Sequence, residues 1–148
     1  MRLQSAIFIL PDALFREGAA CAGADKVLSI LKMESVWMYT VAALPRAETE
    51  GLLCAAGLRE HFRGILTEDE AGCGAYSEAM LEKAMRRLRS QKNDTVVFTG
   101  TLAGVEAAKR AGMRAVAVGG AAGTEEWQRM CALADYELAE YRDWLTLE

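Results

Sequence analysis

Histidine occurs once in these 148 residues, at His61, and proline twice, at Pro11 and Pro45. A Ser-His-Asp or Cys-His mechanism would have to use His61. That residue sits in the polar stretch Arg59-Glu60-His61-Phe62, away from any expected strand end, and reads as an ordinary surface histidine. The four cysteines, Cys21, Cys54, Cys73 and Cys131, form no C-x-x-C pair and have no histidine at metal-ligand spacing. This argues against zinc and fits a reducing compartment. No stretch approaches the roughly 20 apolar residues of a membrane span. The apolar run Ala6 to Leu10 is too short for a secretory signal and stops at Pro11-Asp12, so a cytoplasmic location is expected. Basic residues are not in excess, since 17 Lys and Arg against 21 Asp and Glu leave a net charge of −4. The one tight basic cluster, Arg86-Arg87-Leu88-Arg89, falls late in a helical segment, where cations suit the helix dipole. Neither nucleic acid nor an anionic membrane is expected as a partner.

What is present has the balance of a globular protein, 52% hydrophobic and 26% charged, at a length suited to one domain over residues 1–148. Ser5 to Leu10 is apolar without alternation, the pattern of a strand buried on both faces. A helical pattern is expected from about Arg16 to Met33, weakened in its first half by Gly18 and Gly23. Ser35 to Ala43 is the second strand, and a helix follows between Pro45 and Gly57. Gly64-Ile65-Leu66 is a short strand leading into the acidic loop Thr67-Glu68-Asp69-Glu70, and a helix runs from about Tyr76 to Arg89. Further strands are expected at Thr95 to Phe98, Arg114 to Val118 and Tyr136 to Leu138. The helices between them are capped by Thr101 and Thr124, and the tail from Tyr141 closes in a helical turn. Strands alternating with helices of this length define a three-layer, Rossmann-like α/β domain with a mainly parallel central sheet.

In such sheets ligands bind beyond the carboxyl ends of the strands, here residues 9–13, 42–46, 67–75, 99–104 and 119–124. The first end offers the carboxylate of Asp12, and the second, Ala42-Ala43-Leu44, offers no polar side chain. The loops Thr99-Gly100-Thr101 and Gly119-Gly120 precede helix starts and could present amides to an anion, with Arg46 as an added cation. Neither is a G-x-G-x-x-G or a P-loop, and no lysine stands where a P-loop needs one.

The stretch Phe98-Thr99-Gly100-Thr101-Leu102-Ala103-Gly104-Val105-Glu106-Ala107-Ala108-Lys109-Arg110-Ala111-Gly112-Met113 resembles the fourth motif region of haloacid dehalogenase (HAD) superfamily hydrolases, in the branch of the phosphoglycolate phosphatases and β-phosphoglucomutases. The segments Pro45 to Leu53 and Gly57 to Phe62 resemble the region after the second motif. Ala6 to Phe15 aligns without gaps on the opening D-x-D-G-T-L-F. The resemblance implies a HAD-like fold, and it also marks where the catalytic letters differ. The nucleophilic Asp falls on Ile9, the acid/base Asp on Pro11 and the following Gly on Asp12. The second-motif hydroxyl falls on Ala42, the third-motif Lys near Cys73-Gly74, and the fourth-motif acids on Thr99 and Gly100. Phosphoryl transfer there resembles carboxylate attack with Mg²⁺ offsetting charge, and Ile9 can neither attack nor ligate. Only Phe15 to Trp37 separates the first motif from the second strand, so the helical cap of the branch is expected to be absent.

Three readings follow. In the first, the chain is a non-catalytic HAD-like domain acting through an unknown protein partner or self-association, with Ile9, Leu10, Pro11, Ala42, Ala43 and Leu44 left near the surface. The second is a small-molecule or phosphate binder using Asp12, Arg46, Thr99, Gly100, Thr101, Gly119 and Gly120, with no cofactor. The third is a hydrolase holding Mg²⁺ between Asp12 and the Glu68-Asp69-Glu70 loop.

Overall fold

The computed structural model describes residues 4–16, 18–119 and 124–146. Strand β1 (Ser5–Leu10) is buried at every position, which is why its sequence does not alternate. Ala6, Phe8 and Leu10 face one apolar layer while Ile7 and Ile9 face the other. The chain then makes a two-stranded hairpin, β2 (Phe15–Arg16) and β3 (Ala19–Ala20), before α1 (Ala24–Met33). Next come β4 (Trp37–Ala42), α2 (Arg46–Ala55), β5 (Ile65–Thr67), α3 (Glu68–Ala71) and α4 (Glu78–Arg87). The last part is β6 (Thr95–Thr99), α5 (Leu102–Arg110), β7 (Arg114–Val118), α6 (Glu125–Leu133) and β8 (Tyr136–Leu138), closed by a 3-10 turn over Tyr141–Thr146.

Six strands form one sheet in the order β5-β4-β1-β6-β7-β8, and every pairing in it is parallel. The chain winds outward from β1 to β5, then crosses back over β1 and winds outward through β8. The topological switch therefore lies at β1, between β4 and β6. Residues of α1 and α2, with Tyr141 and Trp144 of the closing turn, cover one face. The other face is covered from α3 to α6, by Ala71, Met80, Leu81, Ala84, Val105, Ala108 and Met130. Phe8 anchors the first layer, stacked on Phe98 at 4.5 Å and edge-on to Phe62 at 5.5 Å. Among the described residues no helix is long and apolar enough to cross a membrane.

Thr101 and Thr124 cap α5 and α6 as the sequence implies, accepting hydrogen bonds from the amides of Gly104 and Trp127. Two expectations are corrected. The helix expected from Arg16 begins only at Ala24. Gly18, with a left-handed φ of 81°, lies in the turn of the hairpin, and Gly23, with φ of 85°, stands at the N-cap of α1, so a helix could not run through either. The expected acidic loop is a helical turn. Thr67 Oγ1 accepts from the Glu70 amide while the Glu70 carboxylate accepts from the Thr67 amide, a reciprocal cap that the T-x-x-E spacing encodes.

Gly104, in α5, is required for packing. A Cβ there would lie 2.0 Å from Thr99 Oγ1. Gly104→Ala is expected to destabilise the protein by about 2–4 kcal/mol in urea unfolding, against the gain of about 1 kcal/mol that a helical Gly-to-Ala exchange normally brings. A neutral or stabilising result would show that Thr99 has room to move.

Candidate functional site

At the switch point β1 ends in Leu10-Pro11-Asp12, with a cis peptide bond between Leu10 and Pro11. The tight turn that follows uses the chain's own carbonyls, since the Ala13 amide donates to the Ile9 oxygen and the Phe15 amide to the Pro11 oxygen, both at 2.9 Å. The turn lays Asp12 across to the end of β6. Its Oδ1 accepts from the Gly100 amide at 2.8 Å and from Thr99 Oγ1 at 3.2 Å, and its Oδ2 accepts from the Tyr76 hydroxyl at 2.5 Å. Burial raises the Asp12 carboxyl above its ordinary range. The Gly100 amide, the hydroxyls of Tyr76 and Thr99 and the charge of Arg16 offset that in part. Burial, and then Asp12 itself, pushes the Tyr76 hydroxyl well above its ordinary value.

Arg16, at the end of β2, closes the site from the other side. Its guanidinium donates to the carbonyls of Phe15 at 3.2 Å, Val118 at 2.8 Å and Gly119 at 2.6 Å, and also to that of Asp12. It ties the first turn to the end of β7. The same head group fills the space beside Gly100, where an added Cβ would lie 2.5 Å from the Asp12 oxygen and 2.8 Å from an Arg16 nitrogen. Glycine at 100 and arginine at 16 are thus complementary.

Asp12, Thr99 and Gly100 come together as the sequence suggested, with Thr101 beside them through its contact with Thr99 Oγ1 at 3.4 Å. Gly119 joins through Arg16. Arg46 is engaged elsewhere, donating two hydrogen bonds of 2.7 Å to Glu70 and one of 2.6 Å to the Ile65 carbonyl. This pairing lowers the Glu70 carboxyl to about 2. Glu68 accepts from the Ala75 amide at 2.8 Å, and the Gly74 carbonyl accepts from the Ser77 hydroxyl at 2.6 Å. Gly120 lies outside the described residues. The expectation that Ile9, Leu10 and Ala42 lie near the surface is corrected: they are 0%, 1% and 0% exposed, because β1 and β4 are covered on both faces. Pro11, Ala43 and Leu44 are half-buried. His61 is half-buried in the 3-10 turn Arg59–His61 that precedes β5, and its Nδ1 has no partner.

Sequence reasoning missed Arg16 and Tyr76, both of which read as the first residues of helices. Gly18, two residues beyond Arg16, was the available signal for a hairpin. Nothing local marks Tyr76.

The residues present do not fit Mg²⁺. Both Asp12 oxygens already accept hydrogen bonds, the nearby carbonyls are turned to Arg16, and that guanidinium opposes a second cation. Among the described residues no group of three or more His, Cys, Asp or Glu is placed to hold a metal ion.

The parallel, doubly wound sheet with a site at its β1 switch point defines a three-layer, Rossmann-like α/β domain. A family model, haloacid dehalogenase-like hydrolase, matches residues 8–112, and the chain belongs to this family. Its structure is similar to that of a protein assigned as a β-phosphoglucomutase from Thermotoga maritima, with a TM-score of 0.83 and 15% identity over 98% of both chains. It is also similar to the HAD-like hydrolase-family protein SP0104 from Streptococcus pneumoniae, with a TM-score of 0.80 and 10% identity over 97% of both chains. A protein assigned as a phosphoglycolate phosphatase from Haemophilus somnus gives 0.76 at 16% identity, over 87% of this chain and 57% of that one. At these identities the likeness is one of fold. No curated relative matches the chain.

Proposed function

We propose that this member of the hydrolase family works by binding and does not transfer phosphoryl groups. The observation that supports this reading is the closed state of the switch-point site. Asp12 accepts from three internal donors, and the Arg16 head group occupies the space any side chain at position 100 would need. A carboxylate nucleophile needs a free lone pair and a neighbouring cation able to accept phosphate oxygens. Here the cation's N–H groups face backbone carbonyls. The acidic residues that a hydrolase would borrow, Glu68 and Glu70, are held by Ala75 and Arg46. Burial of Ile9, Leu10 and Ala42 leaves the half-buried Pro11, Ala43 and Leu44 as the apolar residues at these strand ends, a smaller surface than self-association there would use, which favours a small molecule as ligand.

The test is a phosphatase assay with p-nitrophenyl phosphate on the purified protein, with and without Mg²⁺. Turnover is expected to equal the protein-free blank in both conditions and to be unchanged in Asp12→Asn. Turnover that requires both Mg²⁺ and Asp12 would overturn the reading and restore the hydrolase.

A further inference from the structure

Strand β5 is an edge of the sheet, and at an edge the outward-facing backbone groups have no neighbouring strand. The Gly64 oxygen accepts from the Thr40 amide on β4, so in the alternation of the ladder the backbone of Ile65 and Thr67 turns away from β4. Yet β5 is as buried as a central strand, with Ile65, Leu66 and Thr67 at 2%, 1% and 3% exposure. Over its outward groups lies the pair Arg46 and Glu70, whose side chains are 41% and 42% exposed. Arg46 Nη2 donates to the Ile65 oxygen at 2.6 Å, and Glu70 Oε1 accepts from the Thr67 amide at 3.3 Å. Two bonds of 2.7 Å join the guanidinium to the carboxylate as a fork. In a parallel ladder, one residue of an added strand would give its N–H to the Ile65 oxygen and its C=O to the Thr67 amide. The fork fills that place, with the guanidinium for the N–H and the carboxylate for the C=O. The chain brings both groups there by short connections. Arg46 opens α2 soon after β4, and Glu70 is the third residue of α3, which follows β5 directly.

We propose that the Arg46–Glu70 fork closes the β5 edge against a second copy of this chain and so keeps the sheet at six strands. A second copy is the occupant that an open edge meets first. Two β5 edges related by a twofold axis are complementary to each other, each Ile65 exchanging backbone hydrogen bonds with Thr67 of the other copy. The side chains of β5 stay in the core, so backbone groups alone would hold such a pair, and a fork that takes up those groups prevents it. Arg46 lowers the Glu70 carboxyl to about 2, so the fork stays charged through the neutral and mildly acid range. The inference stands apart from the reading of the switch-point site.

The test is sedimentation of the full chain over a range of concentrations, with amide hydrogen exchange read by NMR. Arg46→Ala/Glu70→Ala is expected to associate reversibly as concentration rises, by a step that the unaltered protein does not show. In the dilute variant the Thr67 amide should exchange about tenfold faster than in the unaltered protein, and it should slow again, together with that of Ile65, as the variant associates. Arg46→Ala alone leaves the capping box of α3 in place. It is expected to associate more weakly with the same amides protected, and it decides the question if circular dichroism shows the double variant unfolded. Arg129→Ala/Glu125→Ala removes the same two charges from α6 and is expected to sediment as the unaltered protein does. The inference is overturned if the folded edge variants sediment as the unaltered protein at every concentration, or if the α6 variant associates equally. Association that leaves the Ile65 and Thr67 amides unprotected, or pairing of the unaltered protein through these same amides, would overturn it too.

Discussion

Arg16→Ala is expected to lower the unfolding free energy by about 2–4 kcal/mol, seen as a lower urea midpoint with an unchanged slope. The guanidinium donates to the carbonyls of Asp12, Phe15, Val118 and Gly119, which belong to the first turn, the hairpin and the end of β7. Removing it leaves these acceptors to share whatever water can enter, and it releases the hairpin from the sheet. Arg16→Lys should recover less than half of the loss, because one ammonium cannot span the carbonyls that a planar fork reaches together. Methylguanidinium added at non-denaturing concentration should raise the melting temperature of Arg16→Ala and leave that of the unaltered protein alone. A loss within about 1 kcal/mol would show that solvent replaces the guanidinium without difficulty.

Asp12 gives the second large effect. Asp12→Ala is expected to cost about 2–4 kcal/mol, because the Gly100 amide and the hydroxyls of Thr99 and Tyr76 all lose their acceptor. Asp12→Asn should cost about 1 kcal/mol or less, since its carbonyl can accept from Gly100 and Thr99 while its amino group donates to Tyr76. The two variants also separate by pH. Burial raises the Asp12 carboxyl in the folded protein, so the folded state holds its proton more tightly than the unfolded chain. Between the ordinary value of about 4 and the raised one, stability therefore falls as pH rises, and it levels off above the raised value. Other groups slope differently, as Glu70 does with its carboxyl lowered to about 2 by Arg46. The useful quantity is the difference between the unaltered protein and Asp12→Asn, in which those groups cancel. That difference should shift against the unaltered protein as pH rises through the window, and a flat difference in urea unfolding would contradict the burial argument.

Most of the architecture was legible because it follows from local chemistry. The uniform apolar run at Ser5 to Leu10 marked a strand covered on both faces, and Thr101 and Thr124 marked helix starts by their capping hydroxyls. Two segments misled for opposite reasons. The region after Arg16 carries apolar residues at helical spacing, yet the left-handed backbone of Gly18 and Gly23 overrides that pattern. The Thr67 to Glu70 segment carried a legible capping box, but its run of acids read as a solvated loop.

The amino-acid sequence by itself determined the fold class and the family, because periodicity, caps and aligned residues are properties of short stretches of chain. Only the tertiary structure decided which side chains meet at the switch point. Tyr76 meets Asp12 across 64 residues and Arg16 meets Gly119 across 103. Contacts of that separation arise from the sheet order, which sets the ends of β1, β6 and β7 side by side, and no local pattern in the sequence records which side chain will turn into the gap.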